Sequence, residues 1–169
     1  MGIFRHWHES LEDIYERNAD MLYRLALTYL HNGSDAQDAV HDVFVKYMKK
    51  PLKSNNSEHE RAWLIRVTIN HCLDMIRSRK HRDYIQLDEI SETVTAESAD
   101  MSTDTSDIME SLALIPEKNK SAIILHCLEG YSVEETAKIL GVSVSAVKMR
   151  LSRGREALKE ILKKEGSDV

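Results

Sequence analysis

The 169-residue sequence is poor in the residue types that define several protein classes. It contains two Pro and six Gly, too few for a collagen-like or a Pro/Gly-rich low-complexity chain. Its two Cys cannot build a disulfide scaffold or a four-thiolate zinc site, and free thiols fit a reducing compartment. Hydrophobic residues make up 42% of the chain, which excludes global disorder.

Long apolar runs and catalytic clusters are also missing. No run approaches the roughly 18 residues that span a bilayer, and the N-terminus lacks the apolar core of a signal peptide. We therefore expect a soluble, cytoplasmic protein. Because the sequence has no Ser/His/Asp cluster and no Gly-rich phosphate loop, we expect neither an enzyme nor a cofactor.

The His-Cys pairs 71–72 and 126–127 are the only pattern that suggests a metal site. Adjacent side chains on a helix point about 100° apart, so neither pair can chelate one ion from one face. Cys72 and Cys127 also fall on the apolar faces of their predicted helices. The pattern therefore favours two buried thiols and no metal.

The net charge of −5 argues at first against a nucleic-acid partner, which would require Lys and Arg. The charge is unevenly distributed, however. Residues 1–82 hold 13 basic and 11 acidic side chains, residues 83–110 hold nine acidic and no basic ones, and residues 111–169 hold ten basic and eight acidic ones. The middle segment is rich in Ser and Thr and predicts a flexible linker, either a plain tether or an acidic mimic that shields a nucleic-acid-binding face.

Apolar residues recur only at helical spacing. The predicted helices span residues 9–30, 35–49, 57–81, 116–129, 133–140 and 144–164. Asn32-Gly33 is expected to end the first helix in the left-handed conformation. Three capping boxes are expected, at Ser34/Gln37, Ser57/Glu60 and Ser132/Glu135. The fold class is therefore all-α, with two small helical domains, residues 1–82 and 111–169, joined by the acidic linker 83–110.

The second domain carries the pattern of a helix-turn-helix, with a short helix, Gly141-Val142, and a new helix capped at Ser143. The last helix should bury an apolar stripe that contains Val147 and Leu151. Its opposite side should present Ser145, Met149, Ser152, Arg153 and Glu156, with Lys148 at its edge and Arg150 and Arg155 on the flanks. This side suits phosphate and base contacts, although an ordinary solvated basic face on a helical hairpin would look similar.

A second basic face lies in the first domain, where residues 61–82 hold six basic side chains and one acidic one. Trp63, Arg66, Asn70, Asp74 and Arg77 share the polar side of this helix. An aromatic side chain beside cations can stack on an unpaired base. The alternative is that the tryptophan packs under a neighbouring helix while the Arg and Asp residues form surface ion pairs.

Several sequence blocks, taken together, resemble those of the bacterial extracytoplasmic-function sigma factors of the sigma-70 class. The blocks are SDAQDAVHDVF at 34–44, AWLIRVTIN at 62–70 followed by Asp74 and Arg77, Ile115-Pro116, EGYSVEETA at 129–137, and VKMRLSRGR at 147–155. They occur in the family's order and cover both domains.

The resemblance implies partners and site residues. The first domain would bind the RNA polymerase core and the promoter −10 element, and the second would bind the −35 element and the polymerase flap. The expected polymerase contacts are Asp38, His41, Asp42, Val45 and Lys49, with Val45 exposed as an apolar anchor. The expected −10 contacts are Trp63, Arg66, Asn70 and Arg77. The expected −35 contacts are Ser145, Lys148, Met149, Arg150, Ser152 and Arg153.

Such factors commonly respond to stress or envelope signals and are held by an anti-sigma partner, so one is expected here. Some positions depart from the family pattern. Met149 stands where a small polar residue is common, and Gly154 replaces Ala inside a helix at a cost of about 1 kcal/mol. The rival interpretation is a helix-turn-helix regulator that acts without polymerase, which would need neither Asp38 and Asp42 nor the Trp63 and Asn70 stripe.

Overall fold

The computed structural model describes residues 10–53, 56–86 and 110–166. All regular elements in these ranges are helices, as predicted. They are α1 (Leu11–Leu30), α2 (Gly33–Lys49), α3 (Ser57–Gln86), α4 (Glu117–Ile123) with a π-helical turn at Ile124–Leu128, α5 (Val133–Leu140) and α6 (Val144–Glu165). Residues 87–109 of the predicted linker lie outside the described residues.

The first domain is a bundle in which α1 packs against both α2 and α3. Its core is built from one apolar stripe of each helix, and the fully buried side chains include Leu22, Leu25, Val43, Leu64 and Ile65. The polar face of α3 lies on the side away from this core. Burial of the apolar stripe therefore fixes which α3 side chains can meet another molecule.

One charged side chain lies inside this bundle. The Glu60 side chain is only 7% exposed, and its two carboxylate oxygens accept hydrogen bonds from Arg17 Nη2 at 3.0 Å and Tyr47 Oη at 2.7 Å. A buried carboxylate is tolerated only when such partners compensate for its lost hydration. Glu60 therefore ties α1, α2 and α3 together, and burial with this hydrogen bond raises the pKa of Tyr47 to about 12.

The second domain packs α4 and α5 against α6. Val147 and Leu151 of α6 are buried, as the apolar stripe predicts, and Ile123, Leu125 and Ala137 of the same domain are buried as well. The α5 N-terminus forms the predicted capping box between Ser132 and Glu135. Ser143 caps α6 by accepting a hydrogen bond from the Ala146 N–H, which confirms the predicted start of that helix.

Two of the predicted capping boxes are wrong. Ser34 lies inside α2, because the Asn32 side chain already accepts the Asp35 N–H at 3.0 Å and the helix begins at Gly33. Ser57 is likewise the first residue of α3, because Asn56 Oδ1 accepts the N–H groups of Glu58 and His59. In both cases an Asn one or two residues earlier caps first.

Two helix ends also differ from the prediction. The left-handed residue after α1 is His31, with φ 55°, and Asn32 is extended because it serves as the N-cap of α2. Helix α3 continues to Gln86, beyond the expected end near residue 81. Leu11 and Tyr15, which the periodicity placed on the apolar face of α1, are exposed by 38% and 48%.

Gly154 is buried at the crossing of α6 with α4. A Cβ atom built on it would lie 2.7 Å from Ile123 Cγ1 and 3.0 Å from Ile123 Cδ1. This close approach explains a glycine in the middle of a helix, where it costs about 1 kcal/mol relative to alanine. The missing side chain lets the two helices come together.

We predict that Gly154→Ala lowers the free energy of unfolding, since the overpacking cost of about 1–3 kcal/mol exceeds the helix-propensity gain of about 1 kcal/mol. Urea denaturation of the full chain measures it. In an Ile123→Ala background the clash is absent, so the same substitution should be stabilising. A stabilising effect in both backgrounds would show that the packing argument is wrong.

Candidate nucleic-acid interface

Helices α5 and α6 form a helix-turn-helix, joined by a turn at Gly141. Gly141 has φ 66°, the left-handed conformation that glycine adopts without strain. Its N–H donates to Lys138 O at 3.3 Å, and the Val142 N–H donates to Ala137 O at 3.1 Å. At the other end of α5, hydrogen bonds from Ser132 lower the pKa of the Glu135 carboxyl. Both ends of the first helix are thus fixed, and they orient the second.

The outward face of α6 carries the side chains that the sequence predicts. Ser145, Lys148, Met149, Ser152 and Arg153 are exposed, and Arg150 is half-buried on the flank. Met149 is the most apolar of them and is 52% exposed. This face presents Lys148 and Arg153 beside one exposed thioether, and the exposed Glu156 lies on the same side one turn further on. Such a surface can contact phosphates and base edges in a major groove.

The polar stripe of α3 is less uniform. Asn70 and Arg77 are exposed, and Arg77 Nη1 pairs with Asp74 Oδ1 at 3.1 Å. Trp63 is half-buried and stacks edge-on against Tyr47, with 5.7 Å between the ring centroids. Trp63 therefore combines the two arrangements that the sequence left open. One part of its indole packs on α2, and another part remains accessible.

Arg66 is exposed, and part of its guanidinium reaches the second domain. Its Nε donates to Ile139 O at 2.8 Å and its Nη2 donates to Lys138 O at 2.7 Å. Both acceptors belong to the last turn of α5, the first helix of the helix-turn-helix. The structure therefore joins a residue of one basic face to the element that carries the other.

A third face lies on α2. Asp38, His41, Asp42 and Lys49 are exposed, whereas Val45 is half-buried rather than exposed as predicted. Asp42 Oδ2 pairs with His71 Nε2 of α3 at 3.1 Å.

Beside the α2 face, a groove of about 500 Å³ runs between α1 and α2. Tyr15, Tyr23, Asp38 and His41 are among the residues that line it. Tyr15 is held there by its ring contact with Phe44, at 4.8 Å between centroids. Sequence reasoning missed this groove, because Tyr15 fits the apolar pattern of α1 equally well.

Several contacts between the two domains were also not predicted. Glu129 pairs with Arg24 at 3.3 Å and with Arg61 at 3.8 Å. Lys120 Nζ donates to Thr28 O at 2.9 Å. No local sequence pattern indicates these pairs, since their partners are 68 or more positions apart along the chain.

The two thiols differ in environment. Cys72 is fully buried, and burial raises its pKa to about 12. Cys127 is exposed, which contradicts the prediction that it is buried. The reason is the π-helical turn at Ile124–Leu128. Its extra residue rotates the side chains around the helix axis relative to the α-helical spacing that the prediction assumed. Among the described residues no group of His, Cys, Asp and Glu is arranged to hold a metal ion.

The same described ranges contain no helix that combines the length and the apolar character of a membrane span.

Two protein-family models match this sequence. Residues 14–82 match the model of sigma-70 region 2, and residues 105–158 match that of sigma-70, region 4. The two matches cover the α1–α3 bundle and the helix-turn-helix in the same order as the sequence blocks.

Full-length relatives show the same similarity. The RNA polymerase sigma factor SigV of Bacillus subtilis is 32% identical over 143 residues, which are 85% of each chain. The ECF RNA polymerase sigma factor SigE of Mycolicibacterium smegmatis is 31% identical over 166 residues. The alignment with SigE covers 95% of this chain but only 64% of that protein.

A solved structure agrees with the fold. The sigma factor RpoE, crystallised in complex with the anti-sigma factor NepR from Bartonella quintana, superposes with a TM-score of 0.68. It is 28% identical, and the match covers 90% of this chain and 98% of that one. The helix-turn-helix and its basic face define a DNA-binding protein. The chain belongs to the extracytoplasmic-function sigma factors, which direct RNA polymerase core to promoters and initiate transcription there.

We predict that one thiol per native molecule reacts with a maleimide at pH 8. Cys127 is exposed, while Cys72 is buried and its raised pKa of about 12 keeps it protonated. Mass spectrometry after a short exposure counts the labels, and Cys127→Ser should abolish labelling. Two labels on the native protein would contradict the described environment of Cys72.

Proposed function

We propose that the outward face of α6 reads the −35 element and that the polar stripe of α3 reads the −10 element. The observation that carries this proposal is the exposed Lys148 and Arg153 on the second helix of a helix-turn-helix, within residues 143–155, which hold four basic and no acidic side chains. Lys148, Ser152 and Arg153 would supply the phosphate and base contacts, flanked by Ser145 and Arg150. Met149 would offer an apolar contact, such as one to a thymine methyl group.

On α3, Arg66, Asn70 and Arg77 are the exposed members of the −10 set. Asn70 would hydrogen-bond an unpaired base, and Arg77 would hold phosphate. Trp63 would stack on the edge of the opening duplex with the part of its ring that Tyr47 leaves accessible. Arg66 would join them once its hydrogen bonds to α5 are released.

The face of α2 is the proposed contact with RNA polymerase core. Asp38, His41 and Asp42 give it an acidic, exposed centre, and Lys49 lies near its end. Val45 would contribute an apolar edge, and the neighbouring Tyr15 groove would extend the surface. Charge at such a surface steers association and sets the register of docking.

In this proposal the protein is not an enzyme, and the polymerase supplies the chemistry. The sigma factor contributes binding energy, since capture of unstacked bases offsets part of the cost of melting the duplex. We infer that it acts in the cytoplasm, in a stress or envelope response. An anti-sigma factor is its expected regulator, because the similar RpoE was crystallised with one.

A reconstituted transcription reaction tests the proposal. Polymerase core and the purified protein are incubated with a promoter library, and the active templates are sequenced. Specific transcripts that require both proteins are expected. Promoter binding that gains nothing from added polymerase would instead identify a helix-turn-helix regulator without a sigma role.

Arg153→Ala should weaken promoter binding by about 1–3 kcal/mol and relax selectivity at one position of the −35 element. The exposed guanidinium can make a bidentate contact with a guanine, which alanine loses. Binding to −35 duplexes with each single-base change measures the effect. Lys159→Ala, at an exposed position about 9 Å beyond Arg153 along the same helix, is the control that removes the same charge. Equal loss on every sequence would indicate a phosphate contact instead.

Asn70→Ala should impair promoter opening more than closed-complex formation. In this proposal the exposed amide bonds a base that has left the duplex, so its loss affects the open complex. Transcription from duplex and from pre-melted templates separates the two steps. A similar defect on both templates would exclude a role in strand capture.

A further inference from the structure

Tyr47 connects two side chains that lie one turn apart on α3. Glu60 and Trp63 are three residues apart, so both project from the same side of that helix. Tyr47, in the last turn of α2, donates its hydroxyl to Glu60 Oε2 at 2.7 Å, and its ring lies against the Trp63 ring. A single phenol side chain therefore joins a buried carboxylate to an aromatic residue that is a proposed DNA contact.

Both oxygens of the Glu60 carboxylate are engaged. Oε1 accepts a hydrogen bond from Arg17 Nη2 of α1 at 3.0 Å, which leaves Oε2 for the Tyr47 hydroxyl. Hydrogen bonds to a carboxylate are stronger than those between neutral groups. Burial and the hydrogen bond to Glu60 raise the pKa of Tyr47 to about 12, so the hydroxyl stays protonated and keeps donating at neutral pH. The direction of the hydroxyl is thus set by contacts from two other helices.

The ring of Tyr47 is held as firmly as its hydroxyl. Tyr47 is 6% exposed, so the surrounding core leaves its ring little room to turn. The Tyr47 and Trp63 ring planes meet at 63°, an edge-on arrangement that aromatic pairs favour. An anchored ring in this position limits the directions in which the Trp63 indole can point.

Orientation matters for Trp63 because stacking requires a flat ring at a defined angle. Trp63 is half-buried, and only part of its indole can meet another molecule. An indole that turned freely would lose that freedom on contact with DNA, which weakens binding. When Tyr47 restricts the indole, the loss of freedom occurs on folding instead.

We propose that Glu60 and Tyr47 are positioning residues for promoter opening, which hold the Trp63 indole at the angle at which it stacks on the edge of the opening duplex. The inference rests on the proposed role of Trp63. Both residues are buried, so they act through the indole and not by touching DNA. Neither is among the polymerase or DNA contacts expected from the sequence.

A purely structural role is the alternative, since the same hydrogen bonds tie α1, α2 and α3 together. The two roles differ in one respect. A structural defect affects promoter opening whether or not the indole is present, whereas a positioning defect disappears when the indole is removed. A double-mutant cycle between Tyr47→Phe and Trp63→Ala therefore separates them.

Tyr47→Phe removes the hydroxyl and keeps the ring. The orientation of the indole is measured by fluorine NMR of 5-fluorotryptophan, without DNA or polymerase. Trp7→Phe in the labelled proteins leaves Trp63 as the only tryptophan. The native resonance should be single and narrow, and Tyr47→Phe should broaden or split it. An unchanged resonance would overturn the positioning role.

Opening is measured with polymerase core on a duplex promoter that carries 2-aminopurine in the −10 element. Tyr47→Phe should slow opening about three- to tenfold, because the indole loses its fixed edge-on partner. In the Trp63→Ala background the same substitution should change the rate little. Equal slowing in both backgrounds would show that the role is structural and overturn the inference.

Trp63→Ala alone tests the proposed function. A native opening rate in this variant would refute the role of Trp63 and the inference with it. Slow opening in Trp63→Ala together with native opening in Tyr47→Phe would refute the inference and leave the role of Trp63 intact.

Glu60→Asp is the second variant, and it serves where Tyr47→Phe does not fold. It keeps the charge and withdraws the carboxylate from Tyr47 by one methylene group. Glu58→Asp, at an exposed position in the same turn of α3, is the matched control. Glu60→Asp should alter the fluorine resonance and slow opening, and Glu58→Asp should do neither. Native behaviour of Glu60→Asp in both measurements would overturn the role of Glu60.

Discussion

The central constraint on this fold is that each helix ends in backbone groups with no partner inside the helix. The described residues contain no β-sheet whose backbone could pair with these groups. At five helix starts a side chain of the same segment supplies the partner, namely Ser10, Asn32, Asn56, Ser132 and Ser143. At two helix ends the donor comes from the other domain. Local sequence thus determines where these helices begin, whereas tertiary packing contributes to how two of them end.

This asymmetry explains what could be predicted from the sequence. The helix-turn-helix and the outward face of α6 follow from periodicity and from Ser132, Gly141 and Ser143, which are all local signals. Ser34 and Ser57 also carry local signals, but an earlier Asn provides a competing cap and satisfies the N–H groups first. The first error moves the start of α2 by two residues, the second leaves the start of α3 where it was predicted, and neither changes the packed faces.

Contacts over long sequence separation could not be predicted. Glu60 matched a capping pattern, yet its carboxylate lies inside the bundle, where Tyr47 and Arg17 bind it. Arg66 fits a DNA-contacting stripe, yet its guanidinium bonds α5. In each case the residue type suits two partners, and only the packing of distant helices decides between them. The charge pattern identified which helices are basic but not which of their cations are engaged within the protein.

The π-helical turn at Ile124–Leu128 has a consequence for sequence length. A π turn holds one more residue than the α turn that it replaces, and its closing bond here joins the Glu129 N–H to Ile124 O at 2.9 Å. Deleting one residue from the turn would restore a regular α-helix and turn Glu129 by about 100° around the axis, away from Arg24 and Arg61. The alignment of Glu129 with its two partners in the first domain therefore depends on the one extra residue in this turn.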